Sequence, residues 1–304
     1  CFKSGDVKLN PPMNTEIAEG DRLIAVTRDN STMIAENNPR YTVNEKALSP
    51  AGVKKQSAPE SILILGWNKK AWRILRELNN YVAKGSHVKI VSDAEETSGF
   101  VESMKQSLEK LEIEIVSADT SDRTILESLK VEKFEHIILL CYDNIEDTQE
   151  SDARTLATLI HLRDISDRAG ADLNIVSEMN DVRNRELAEI TKADDFVVSD
   201  KLISLLMSQV SENKMLMGAF RDIFDADGSE LYIKPASEYV KPGIEIDFYT
   251  VLFAARQKNE CAIGYRVSKL AADPSKNYGV VINPDKALKF TLSAEDKLIV
   301  VAED

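Results

Sequence analysis

The 304-residue chain is short of the groups that most often carry chemistry. It has three cysteines, Cys1, Cys141 and Cys261, far apart and without a Cys-x-x-Cys spacing. That excludes a disulfide framework and a structural zinc site, and fits a reducing compartment. The three histidines, His87, His136 and His161, are isolated, so none has the neighbours that would make it a base or a ligand. There is no Gly-x-Ser-x-Gly elbow, no Walker loop and no His-Glu-x-x-His. No apolar run approaches the ~20 residues needed to cross a bilayer, and no basic segment followed by an apolar one opens the chain. Cations are the minority charge, 38 Lys and Arg against 51 Asp and Glu, a net charge of -13. Phosphate binding depends on clustered cations, so nucleic acid is excluded as a partner and an acidic surface suits cations better.

What is present begins with Ser61 to Asn79. Ile62 to Leu65 form a continuous apolar run, as a strand buried on both faces of a parallel sheet requires, and Trp72, Leu75 and Leu78 recur at helical spacing. A Gly between such a strand and helix is the first element of a dinucleotide fingerprint. Against Gly-x-Gly-x-x-Gly the chain offers Gly66, Asn68 and Ala71. Asn68 can take positive φ, but its side chain stands where backbone would approach a pyrophosphate. The fold signal is therefore retained while the cofactor signal is degraded. From Ser61 onward strands and helices alternate, which predicts a Rossmann-like doubly wound α/β fold with a parallel sheet. The second strand, Val88 to Val91, ends at Asp93, where such a unit places its ribose-binding carboxylate, and Asp119 opens the turn after the third strand. Gly66, Asn68, Asp93 and Asp119 are thus the residues that would line a cofactor cleft.

After the fourth strand, His136 to Cys141, five carboxylates occur in the eleven residues from Tyr142 to Asp152. The loop follows the carboxyl end of a parallel strand, where ligands bind in such sheets, and hard cations take several oxygens; Asp143, Glu146 and Asp147 are the metal-ligating candidates. The alternative is an acidic loop capping the next helix through Ser151 or Asp152. A further helix, Lys201 to about Met215, has more apolar surface than a one-sided stripe needs, as expected of a helix buried against a partner. After Gly228 the pattern changes to strands with one helix, a small α+β lobe.

An internal repeat orders the ends of the chain. Lys8-Leu9-Asn10-Pro11 followed by Asp21-Arg22-Leu23-Ile24-Ala25-Val26 matches Val281-Ile282-Asn283-Pro284 followed by Asp296-Lys297-Leu298-Ile299-Val300-Val301, with a spacer two residues longer in the second copy. Both read as strand, Asn-Pro turn, acidic turn, strand. The first copy is expected to be the tail of a module whose front half is missing. Between Asn30 and Pro59 the composition is that of a linker.

Taken together, Leu65-Gly66-Trp67-Asn68, Ile90-Val91-Ser92-Asp93, Gln209 to Asn213, Arg221 to Lys234, Ala262 to Tyr265 and Leu298 to Val301 resemble the RCK domains (regulators of potassium conductance) of the castor/pollux ion channels. The resemblance implies residues 1–30 as the end of a first RCK C-lobe, 31–58 as linker, 59–200 as the Rossmann-like N-lobe of a second module, 201–226 as crossover and dimerisation helices, and 227–304 as its C-lobe. It implies a regulatory assembly, not an enzyme: a homo-oligomer, with a tetrameric gating ring in the full channel, acting on the chain's own transmembrane pore domain. The fragment itself would be soluble, on the cytosolic or nucleoplasmic face of a membrane. Calcium is the ligand the resemblance implies; a tightly bound NAD or other nucleotide is not expected. The competing function on the same fold is an NAD(P)-dependent oxidoreductase.

Overall fold

The computed structural model describes residues 5–12, 14–26, 41–50, 58–94, 96–145, 147–171, 173–184, 195–224, 228–271 and 273–303. They divide into two compact units, Lys55–Gln209 and Cys1–Lys54 with Val210–Asp304.

The first unit is built from β1 (Ser61–Leu65), α1 (Ala71–Tyr81), β2 (Ser86–Val91), α2 (Glu96–Met104), β3 (Leu111–Val116), α3 (Arg123–Leu129), β4 (His136–Leu139), α4 (Thr148–Ala169), β5 (Ile175–Met179) and β6 (Asp195–Val198), with α5 (Ser199–Glu212) crossing its boundary. The six strands are parallel in the order β3-β2-β1-β4-β5-β6. This is the doubly wound order with its reversal between β1 and β4, and it places a crevice beyond the carboxyl ends of those two strands. Successive side chains of β1 face opposite layers. Ile62 and Ile64 pack with Ala71 and Leu75 of α1 and Val101 of α2, whereas Leu63 and Leu65 pack with Leu126 of α3 and Leu159 and Leu162 of α4. The uninterrupted apolar run predicted this, because a strand covered on both faces has no polar side.

The strand and helix boundaries differ from expectation where polar residues are buried. β5 continues through Ser177 and Glu178, both buried, to Met179, and α4 starts at Thr148, so Ser151 and Asp152 lie inside the helix and face the core. The α4 cap is Asp147, whose carboxylate accepts from the Gln149 N–H at 2.8 Å.

The second unit contains α6 (Leu216–Phe224), β7 (Glu230–Pro235), β8 (Glu245–Asp247), α7 (Phe248–Arg256), β9 (Cys261–Arg266), β10 (Val280–Ile282), β11 (Lys289–Thr291) and β12 (Lys297–Ala302). Its main sheet is antiparallel in the order β10-β9-β12-β7, and β11 pairs with β8. Phe248, Val251 and Ala255 of α7 pack on Leu298 and Val300 of β12, together with Tyr239 and Ala262. Part of the stretch with linker composition is docked on this core. Ala47 is fully buried in it, Tyr41 stacks on Tyr249 with ring centroids 4.6 Å apart, and Leu48 forms a bridge with Val240.

The repeat is visible in conformation. Asn10 and Asn283 both have positive φ, 42° and 49°, and both acidic turns carry the same bond, Ala18 N–H to Asp21 at 2.9 Å and Ser293 N–H to Asp296 at 2.7 Å. The strands expected around the first copy are not formed among residues 5–12 and 14–26. The reason is the lack of partners: β12 lies between β7 and β9 and buries Leu298 and Val301, whereas their counterparts Leu23 and Val26 are exposed. Residues 7–10 instead rest on the C-lobe, with Val7 against Gly218, the Leu9 N–H donating to Asp222 at 3.3 Å and the Asn10 amide donating to the Asn259 carbonyl at 2.7 Å.

Candidate functional site

The crevice at the β1–β4 switch point is where the fold would take a ligand, and its residues are arranged around Gly66. Gly66 has φ +89°, and a Cβ there would lie 2.4 Å from the Leu140 carbonyl oxygen. Only glycine lets the chain turn so close to β4. Its N–H donates to the Val91 carbonyl at 2.9 Å, which ties the turn to β2.

Asn68 fills the space of the absent second glycine. Its amide donates to the Cys141 carbonyl and to the Glu178 carboxylate, each at 2.7 Å, and its side-chain oxygen accepts from the Lys70 N–H at 2.9 Å. Glu178, at the end of β5, also pairs with the Lys70 ammonium and accepts from the Cys141 N–H at 3.3 Å. The Cys141 thiol is buried beside Glu178 and Asp152; burial and those carboxylates push it up to about 12, so it is no nucleophile.

Asp143 lies at the start of α1, where its carboxylate accepts from the Lys69 N–H at 2.9 Å. That is the position at which a dinucleotide fold presents backbone N–H groups to phosphate. Asp93 and Asp119, from the ends of β2 and β3, converge on one nitrogen of Arg154, at 2.6 and 2.8 Å. Arg154 comes from α4, and its guanidinium lies 4.1 Å from the centre of the Tyr142 ring. The Tyr142 hydroxyl is bonded to Thr120 at 2.7 Å. Burial would raise the Asp119 carboxyl, but the hydrogen bonds from Ser121 and Arg154 hold it below its ordinary value. In Arg154, burial is likewise outweighed by the hydrogen bond and charge of Asp93, so the guanidinium is held still more firmly charged.

The sequence-predicted cofactor residues Gly66, Asn68, Asp93 and Asp119 are therefore brought to one crevice, joined by residues that sequence reasoning missed: Arg154, Tyr142 and Glu178. The signal for Arg154 is its place as the first cation after five acids. Of the metal candidates, Asp143 is bonded to the turn before α1 and Asp147 caps α4, while Glu146 lies outside the described residues. Among the described residues no group of three or more His, Cys, Asp or Glu could hold a metal ion. Asp152, counted with the loop acids, is fully buried and accepts from the Asn180 N–H at 3.0 Å, the Asp181 N–H at 2.9 Å and the Asn184 amide at 2.7 Å.

The family model for the TrkA-N domain matches residues 62–199. "Probable ion channel CASTOR" of Oryza sativa subsp. japonica is 26% identical over 333 residues, and "Ion channel DMI1" of Medicago truncatula is 27% identical over 335; each alignment covers 98% of this chain. The chain is a castor/pollux relative. It is similar to those channels over nearly its whole length, and spans only 36% and 37% of the length of those two relatives. The human SLO3 gating ring matches with a TM-score of 0.54 at 10% identity, over 81% of this chain and 44% of that one, a likeness of fold. Among the described residues of the castor/pollux relative, no helix is long and apolar enough to cross a membrane.

Proposed function

We propose that this region is the regulatory part of a cation channel, assembled into a gating ring beside a membrane and coupling ligand binding to pore opening, not an enzyme. The observation that carries the reading is a Rossmann-like lobe joined through α5 and α6 to an antiparallel C-lobe, in a chain whose curated relatives are named ion channels. The crevice supports regulation over catalysis: its carboxylates, amide and cations are engaged with one another. Residues 1–30 are, on this reading, the end of a first RCK C-lobe and 59–304 a second module, supported by the shared Asn-Pro and aspartate turns.

Assembly is proposed to use α5, on which Leu202, Ile203, Leu205 and Met207 are each more than half exposed. Aliphatic exposure of this extent on one helix marks a surface that another chain covers. Calcium is the proposed ligand, with Asp143, Glu146 and Asp147 the first residues to test; of the two described acids, Asp143 accepts from the Lys69 N–H and Asp147 caps α4, so a cation would have to compete with these bonds.

The test is recording from the full-length channel in planar bilayers, with calcium chloride added on the side bearing this region. The expectation is that open probability responds to calcium and that Ile203→Glu with Leu205→Glu abolishes the response. Unchanged gating in that variant, or in a channel lacking residues 59–304, would refute the regulatory role.

A further inference from the structure

The crevice of this lobe is closed by its own side chains, and we infer that Arg154 acts as an internal plug, holding the Asp93 and Asp119 carboxylates and excluding an adenine nucleotide from the site. This inference concerns the lobe alone and stands apart from whether the region gates a pore.

Three positions that a dinucleotide would need are each taken. The acid at the end of β2 is the group that accepts the ribose hydroxyls in this fold. Here Asp93 accepts from the Arg154 guanidinium at 2.6 Å, and Asp119 from the same nitrogen at 2.8 Å. The Lys69 N–H, in the turn that enters α1 where phosphate would approach, donates to Asp143. The second glycine position is filled by Asn68, whose amide is fixed on Cys141 and Glu178. A nucleotide phosphate would also meet the Asp143 carboxylate as a like charge.

Of these three occupants, Arg154 is the one that neutralises both acids and can swing away. Asn68 is buried and Asp143 is a short side chain on an exposed loop, whereas Arg154 rests on the Tyr142 face by a long stem that has other rotamers. Its forked guanidinium suits two convergent carboxylates, and an ammonium in its place would offer a point charge without the fork. Thr158, one helical turn on, donates to the Thr120 carbonyl at 3.2 Å and holds this part of α4 against the turn after β3, so the stem starts from a fixed base.

The experiment is isothermal titration of the 304-residue chain with AMP, adenosine and NAD, beside Arg154→Met and Arg154→Lys. Methionine keeps a stem over Tyr142 and removes the charged fork; lysine restores the charge alone. AMP and adenosine are expected to bind Arg154→Met about 10- to 100-fold more tightly than the native chain, the range set by losing two charge-assisted hydrogen bonds that the ligand no longer has to displace. Lysine is expected to fall between the two. Adenosine gaining more than AMP locates the remaining obstacle at Asp143, and Asp143→Asn in the Arg154→Met background then closes the gap. Circular dichroism melts establish that each variant is folded, and a variant that is not folded is replaced by Arg154→Gln, read the same way. Native chain that binds AMP or NAD as tightly as Arg154→Met overturns the plug, as does folded Arg154→Met or Arg154→Gln with no gain for either ligand.

Discussion

Removing the Asp152 carboxylate is expected to destabilise the Rossmann-like lobe more than removing any other acid of its loop. Asp152 is fully buried on α4, and its two oxygens receive the N–H groups of Asn180 and Asp181 and the amide of Asn184, at 3.0, 2.9 and 2.7 Å. These donors close the turn at the end of β5. Asp152→Ala leaves three donors, one buried and two half-buried, without this acceptor, at about 1–3 kcal/mol each, and with relief from entering water the sum is roughly 3–6 kcal/mol. A lobe of this size melts about 2–4 °C lower per kcal/mol, so the transition should fall by roughly 6–24 °C. Asp152→Asn keeps one acceptor oxygen but turns an NH2 toward N–H groups, and should show about half the effect. The assay is differential scanning calorimetry, with urea unfolding followed at 222 nm as the second probe. Asp143→Asn and Asp147→Asn, at exposed positions, serve as controls within about 1 kcal/mol of the native chain. An Asp152→Ala melt coinciding with those controls would refute the reasoning.

Gly66→Ala should lower stability by about 3 kcal/mol or more, since positive φ costs roughly 1–2 kcal/mol and the new Cβ meets the Leu140 carbonyl oxygen; a melt unchanged from the native one would contradict this. Asp181 is held at about 2 by the Arg183 hydrogen bonds, so its contribution is fully present above the ordinary carboxylate pKa and is lost as pH falls from there through about 2. Acid unfolding of Asp181→Asn should lack that component, and identical acid profiles would show that the Arg183 pairing is not retained in solution. Cys141 should resist a disulfide-exchange reagent at neutral pH until the lobe unfolds, and prompt modification of the native Cys141→Ser-sensitive thiol would disprove its burial.

The sheet was legible because each core strand is a short apolar run and each helix repeats its apolar residues at helical spacing. β1, β2, β3 and β4 fall within two residues of their expected bounds. The reading was weaker wherever the core is polar. Glu178 looks like the end of β5 yet is buried in it, because Asn68 and Lys70 supply its partners from 110 and 108 residues away in sequence. Ser151 and Asp152 look like a cap for the same reason, as local sequence does not show that the turn after β5 will present the Asn180 and Asp181 N–H groups to Asp152. α2, Glu96 to Met104, is hard to read because Gly99 breaks the helical pattern in its first turn. Gly66 and Asp93 could be picked out because each stands at the carboxyl end of a strand that is itself legible as an apolar run. What closes the crevice could not be read, since Arg154 meets Asp93 from 61 positions away and only the folded sheet brings the two together.

The docked stretch around Ala47 gives the chain a mechanical character. Tension arriving from upstream of Tyr41 meets a clamp before it can reach β1: the Tyr41–Tyr249 stack, the Leu48–Val240 bridge, and the Lys241 N–H bond to the Ala47 carbonyl at 2.7 Å. The C-lobe core bears that load first, because Ala47 is buried among its side chains. A segment pinned in this way passes a small displacement on to the C-lobe core rather than absorbing it as slack.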